Sequence, residues 1–236
     1  MFRARTRLIV LLVALAAASA LVLGASASAT TPSPTCLGQP ATIVGTPGND
    51  TINGTSGDDV IVGLGGDDVI TTGGSGDNGD VVCGGDGNDA IIVNGDSFFD
   101  YALVSGDAGD DTINGLGGND DLAGGPGNDT INGGSGRDWI DYYNAPAGVH
   151  VSLAKGTASG GGGNDTFHAI ESIWGSKHSD VLIGNAGPNE LQGLAGNDKL
   201  YGERGKDTLV GGVGKDFADG GPARDVCRAE KKLHCP

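Results

Sequence analysis

Large aromatic side chains are scarce in this chain. Its 236 residues include five Phe, four Tyr, two Trp and a single Met. Aromatics supply much of the area buried in an ordinary core, so one thick globular interior is excluded. Glu is scarce too. Only Glu171, Glu190, Glu203 and Glu230 stand against 26 Asp. Lys and Arg number 14 against 30 acids, for a formal charge of −16. That shortage of positive charge argues against a nucleic-acid partner, whose phosphates attract Lys and Arg. The four His residues (His150, His168, His178, His234) form no H-x-x-H or HExxH pattern, and the Cys residues lack metal-site spacing. A zinc site is therefore a poor reading. Ser and His occur without a nucleophile motif.

Gly and Asp fill the space these absences leave. There are 46 Gly, far above ordinary usage. Gly loses the most backbone entropy on folding, so this chain either needs positive φ at many sites or is disordered. An acidic surface made only for solvation would use Glu as freely as Asp. The bias for the shorter carboxylate points to positions close to the backbone, as in turns and metal loops.

The Gly and Asp recur with a period of nine. Residues 115–123 read GLGGNDDLA, 124–132 GGPGNDTIN and 133–141 GGSGRDWID. The pattern is G-G-x-G-x-D-x-U-x, with U a large apolar residue. It fits 45–53, 54–62, 63–71, 84–92 and 106–114, and it resumes over 175–228 with GLAGNDKLY, GERGKDTLV and GGVGKDFAD. Six turn formers followed by three residues around one apolar side chain make a turn and a short strand. Two units, 18 residues, complete one coil of a right-handed helix of strands, and each strand pairs with the one a coil later, ~4.8 Å away. This register stacks Ile52 on Ile70, Ile113 on Ile131, Leu122 on Ile140, and Leu191 on Leu209. The interior is then a thin sandwich that needs few aromatics. A flexible Gly-rich linker is rejected, because linkers do not hold Asp and Ile in register.

The same offset stacks Asp50 on Asp68, Asp111 on Asp129, Asp120 on Asp138, Asp180 on Asp198, Asp198 on Asp216, and Asp207 on Asp225. Two columns of close carboxylates repel strongly, so something must neutralise them. The turns also offer many backbone carbonyls. Numerous hard oxygen ligands select Ca²⁺ over soft metals, and Mg²⁺ fits worse because it demands a stricter octahedron. Each ion would bridge successive turns through two Asp carboxylates and four carbonyls. The candidate ligands are Asp50, Asp59, Asp68, Asp89, Asp111, Asp120, Asp129, Asp138, Asp165, Asp180, Asp198, Asp207, Asp216 and Asp225.

These units resemble the RTX-type (hemolysin-type) calcium-binding nonapeptide repeats. The resemblance covers roughly residues 45–140 and 160–228. It implies an all-β, parallel β-roll holding several Ca²⁺ ions, largely disordered without them and folded on binding. The family's rolls accompany proteases, lipases and epimerases, whose chemistry lies in separate catalytic domains.

The pattern has breaks. Residues 72–83 carry extra residues, with Asn78 where Asp is expected. Residues 93–105 interrupt the period and hold two Phe, as a longer rung or a bulging loop. Residues 141–174 read as an irregular spacer within the solenoid, ending in Ile170-Glu171-Ser172-Ile173, similar to a recurring spacer of the same superfamily. His178 replaces the fourth-position Gly, Asn189 replaces Asp, and Ala218 takes an apolar position, which puts nearby ion sites in doubt. Trp139, Tyr142, Tyr143 and Trp174 either fill irregular rungs or form a sugar-stacking patch.

At the N-terminus, Arg3, Arg5 and Arg7 precede an apolar run from Leu8 to Leu23 and a small-residue site, Ala27-Ser28-Ala29. This is the pattern of a cleaved secretory signal, with no membrane span after its removal and export by the general pathway. Members of the family sent out by type I secretion normally lack such a signal. An exported chain with four Cys is compatible with two disulfides. Cys227 and Cys235 are the easiest pair, which would leave Cys36 with Cys83.

The organisation expected is a signal peptide over 1–29, an N-terminal cap segment over 30–44, a first roll block over 45–140, the spacer over 141–174, a second block over 175–228 and a tail over 229–236. About 15 residues separate signal and repeats, too few for a catalytic domain. The expected function is a secreted, extracellular, non-catalytic calcium-binding protein, structural or adhesive. Its partners would be calcium ions and cell-surface polysaccharide or other repeat proteins. The alternative is a polysaccharide-acting enzyme or carbohydrate-binding protein that uses the irregular segments. Gly-rich stretches such as GLGGND are read as the repeat itself and not as phosphate loops, since no helix follows them.

Overall fold

The computed structural model describes residues 33–74, 79–94 and 101–235. The expected signal segment, Asn78 and residues 95–100 of the interruption lie outside these residues. Among the described residues there are only strands and turns. The three-residue strands follow from the repeat, in which Gly and Asp end each strand before a fourth residue can join it.

Apart from two small two-stranded sheets, the strands form two facing sheets of 12 and ten strands. Successive nonapeptides alternate between them, so each strand's neighbour in its sheet is one full coil away. Ile52 lies beside Ile70, Ile113 beside Ile131, Leu122 beside Ile140 and Leu191 beside Leu209, all in parallel register. The apolar position of each repeat points between the sheets. Ile61, Ile70, Leu122, Ile140, Ile173, Leu182, Leu191, Leu200 and Leu209 are wholly buried. Each contributes roughly 1.5–3 kcal/mol relative to exposure. Ala218 keeps its apolar place beside Leu200 and is fully buried.

The coil is not uniformly 18 residues. Asp59 meets Asp80 after 21 residues, Asp89 meets Asp111 after 22, and Asp129 meets Asp165 after 36. The extra residues leave the ladder between strands, so the core register survives. The largest excursion is the spacer. Val149–Ser152 pairs in parallel with Val181–Ile183 and antiparallel with Thr157–Gly160. The chain then returns through Thr166–His168, which rejoins Thr130–Asn132 in parallel. A three-stranded meander is thus spliced into the larger sheet, where Thr157–Gly160 runs against an otherwise parallel ladder.

Both ends are pinned. The hairpin of Thr35–Cys36 and Gln39–Pro40 lies on the outer face of the first rungs. Cys36 is bonded to Cys83 there, closing 47 residues. At the other end Cys227 stacks beside Leu209 and is bonded to Cys235.

Candidate metal-binding turns

From Asp68 onward, each Asp at the sixth position of a repeat is oriented by the coil before it. Its Oδ1 accepts the backbone N–H of the corresponding residue one coil earlier. Asp68 accepts from Asp50, Asp89 from Asp68, Asp111 from Asp89, Asp129 from Asp111, Asp120 from Ala102, and Asp138 from Asp120, at 2.7–2.9 Å. The second block repeats this. Asp198 accepts from Asp180, Asp216 from Asp198, Asp207 from Asn189 and Asp225 from Asp207, at 2.9–3.0 Å. A shorter or longer side chain at these positions would miss the N–H, which is why Asp predominates.

A second ladder runs beside the first at the fifth position. The Asp67, Asn88, Asp110, Asn128 and Asn164 amides each donate to the fifth-position side chain one coil earlier. Asn49, Asn128 and Asn164, which spell glycosylation sequons, are all members of this ladder.

Once Oδ1 is used, Oδ2 remains. In Asp68, Asp89, Asp111, Asp129, Asp138, Asp198, Asp207, Asp216 and Asp225 this oxygen is buried and receives no hydrogen bond. These side chains are at most 3% exposed. A buried carboxylate oxygen left in this state is costly unless a cation or donor completes it. The surroundings are more oxygen. A Cβ added to Gly63 would fall on Asp68 Oδ2 and the Gly84 carbonyl. One on Gly84 would meet Asp89 Oδ2 and the Gly106 carbonyl, and one on Gly193 would meet Asp198 Oδ2 and the Gly211 carbonyl. The first Gly of the repeat therefore leaves open a space lined by a carboxylate and a carbonyl of the next coil. Second-position residues in these same turns adopt positive φ, including Leu64 (83°), Asp107 (69°), Leu194 (72°) and Glu203 (67°) alongside the glycines. Left-handed backbone is strained for a branched side chain such as Leu, so the turn geometry is imposed by the coil.

Burial, with like-charged neighbours adding to it, holds five of these carboxyls above the usual carboxylate range. Burial is the larger cause at Asp129 and Asp198, both raised to about 7, with Asp165 and Asp111 acting on the first and Asp180 and Asp216 on the second. Burial likewise lifts Asp111, Asp138 and Asp207 to about 6.

The remaining candidates are arranged differently. Asp50 and Asp59 accept at Oδ2 from the Thr46 and Thr55 amides and hydroxyls. Asp180 accepts from the Ser176 amide at Oδ2 and from its hydroxyl at Oδ1. Asp165 Oδ2 accepts from the Tyr142 hydroxyl at 2.8 Å. Asn189 holds the Asp place, its Oδ1 taking the Asn185 amide.

Three column members are absent from the candidate set read from the repeat. Asp80 accepts the Asp59 amide at 2.9 Å, in the place that forward counting assigns to Asn78. Counting back from Gly84 would have found it. Glu171 accepts the Asp138 amide at 3.0 Å and Glu230 the Asp216 amide at 2.7 Å. The longer carboxylate appears where the offset is 33 or 14 residues and an Asp would not be positioned by a regular turn. Ala102 occupies the Asp place of its rung, so that column has a gap.

The family model for the RTX calcium-binding nonapeptide repeat matches residues 44–78, 104–141, 157–169, 174–209, 183–218 and 204–229, more than half of the chain. The chain belongs to the RTX calcium-binding nonapeptide repeat family. No individual curated protein matches the chain as a relative. As an RTX roll it is a calcium-binding repeat protein, and its turns fit that ion. The available donors are carboxylate Oδ2 atoms and turn carbonyls, an oxygen-only set suited to a hard, high-coordination cation. Among the described residues no three His, Cys, Asp or Glu side chains converge.

Proposed function

We propose that this RTX protein is exported by its N-terminal signal and acts outside the cell as a non-catalytic roll ordered by calcium, with a structural or adhesive role. The observation that carries the reading is the pair of columns of buried carboxylate oxygens without hydrogen-bond donors. The open turns would hold the ions through Asp Oδ2 and the neighbouring carbonyls. Bound Ca²⁺ supplies the positive charge that the columns lack. The protein's own residues fix the carboxylates, hold Gly carbonyls inward and exclude water. Two disulfides at the ends of the roll support an oxidising compartment. Surface polysaccharide or other repeat proteins are the partners that fit an adhesive role.

The alternative, action on polysaccharide, is favoured by one feature. A cavity of about 120 Å³ lies beside the spacer, lined by Ser105, Asp107, Asp141, Tyr142, Asn144 and Pro146. It falls below the ~300 Å³ at which ligand pockets begin. Of the four aromatics, Tyr142 is buried against Asp165, while Trp139 and Trp174 lie side by side with centroids 5.2 Å apart. The non-catalytic reading is therefore preferred.

Calorimetric titration of the disulfide-intact protein from residue 30 onward tests the reading. Saturable Ca²⁺ uptake is expected, with affinity around 10⁻⁴–10⁻³ M as in extracellular modules, and equal Mg²⁺ should not displace it. Absence of uptake would overturn it. Calcium-dependent retention on cell-wall polysaccharide supports adhesion, and depolymerisation of that polysaccharide would support the enzyme.

A further inference from the structure

Two kinds of turn are built into this roll, and the second residue of the nonapeptide decides between them. In one kind that residue has positive φ, and the Asp Oδ2 four residues later is buried without a donor, as at Leu64 and Asp68, Gly85 and Asp89, Leu194 and Asp198. In the other kind the second residue is Thr46, Thr55, Ser176 or Asn185. Its backbone N–H then turns inward and donates to the oxygen four residues later, at 2.5–2.8 Å. The side-chain hydroxyls of Thr46, Thr55 and Ser176 add a second donor to the same carboxylate.

The fourth position marks the same division independently. In the open turns, apart from that of Asp225 where Ala223 stands at this place, it is a Gly at positive φ, pressed against the coil before, so that a Cβ on Gly87, Gly109 or Gly214 would strike the preceding fourth-position carbonyl. In the turns closed by Thr46, Thr55 and Asn185, the fourth-position Gly48, Gly57 and Gly187 have no such φ. A Cβ there would meet nothing, Thr55 Oγ1 at 3.8 Å, and Asn185 Oδ1 at 3.3 Å, respectively. This explains why His178 stands at the fourth position of the Ser176 turn without strain.

We infer that the closed turns, together with Asp165 under the Tyr142 hydroxyl, take no calcium, and that the ions lie in two separate runs of open turns. This rests on the calcium reading above and refines it. A donor hydrogen aimed at a carboxylate oxygen occupies the place a cation needs and repels it. The closed turns instead satisfy their carboxylates within the chain. They cluster in two places. Asp50 and Asp59 begin the roll, and Asp165, Asp180 and Asn189 lie in the spacer or just after it. One calcium run therefore spans Asp68 to Asp138 and the other Asp198 to Asp225. The two closed regions are the parts of the fold that need no ion, and the calcium runs are anchored on them.

Counting ions by native mass spectrometry at saturating Ca²⁺ tests the division. Asn in place of Asp keeps the ladder-accepting oxygen and removes the charge. Asp111→Asn, in an open turn, should lose at least one ion relative to the wild type. Asp59→Asn, in a closed turn, should keep the full number, because its remaining oxygen still accepts the Thr55 amide. Loss of ions in Asp59→Asn equal to that in Asp111→Asn would overturn the division. If Asp111→Asn does not fold, the Asp59→Asn count alone decides. A wild type that binds no calcium would instead refute the underlying reading.

Discussion

At the scale of the residue, the Asp of an open turn has a separate role for each of its two oxygens. Oδ1 holds the coil before it, and Oδ2 is left buried without a donor. This sets a pH dependence. A carboxyl raised in the ion-free fold favours folding while protonated. Its contribution is full below about pH 4, the unfolded carboxylate value, and is lost as pH climbs through the folded values of about 6 to 7 at Asp111, Asp129, Asp138, Asp198 and Asp207. In EDTA the protein should therefore keep more β-structure at pH 5 than at pH 8, read by far-ultraviolet circular dichroism. A metal-free roll that gains structure with rising pH would contradict this. Glycine gives a second contrast. Gly127 has φ 159° and a Cβ there would strike the Gly109 carbonyl, whereas Gly57 has room for one. Gly127→Ala should cost more than ~2 kcal/mol in calcium, since it combines a φ disfavoured for Ala with a clash, and Gly57→Ala should stay within ~1 kcal/mol. Denaturant melts would measure both.

At the scale of the element, the three-residue strand is too short to be stable alone and relies on its stacked neighbours. Leu191 is fully buried between Ile173 and Leu209. Leu191→Ala should cost about 2–5 kcal/mol, as large-to-small core changes do, with the loss read from the calcium-saturated melt. The apolar ladder and most Asp pairs were legible in the sequence, because a period of nine leaves little freedom once strands alternate between two sheets. What could not be read has physical causes. Insertions between strands preserve the register at the next strand, so counting forward misplaced Asp80, and the gap at Ala102 went unseen. Glu171 and Glu230 substitute for Asp by reach, which a motif of residue types does not encode. The antiparallel strand Thr157–Gly160 lies in a stretch with no repeat to count. The letters at the second position were visible throughout. Their meaning depends on the sign of φ there, and so on whether an amide or an open space faces the carboxylate.

At the scale of the whole molecule, the roll is quasi-one-dimensional: each coil touches only its neighbours, and stability is a sum of coil and interface terms. In such a thin sandwich the column carboxylates that no internal donor meets repel one another along the roll. The Cys36–Cys83 bond closes a 47-residue loop, for which chain entropy alone gives about 4 kcal/mol. Cys36→Ser paired with Cys83→Ser should lower the thermal midpoint and fray the first coils, seen as faster amide exchange at Ile52 and Ile61 than at Leu209. Equal exchange throughout would contradict that expectation.

The central claim is that calcium completes this fold by satisfying its buried carboxylates. It is tested most directly by circular dichroism of the disulfide-intact protein at pH 8, first in EDTA and then through a Ca²⁺ titration into the millimolar range. The account predicts a mostly disordered spectrum in EDTA and a cooperative gain of β-structure as Ca²⁺ is added. A chain equally rich in β-structure with and without calcium would contradict it.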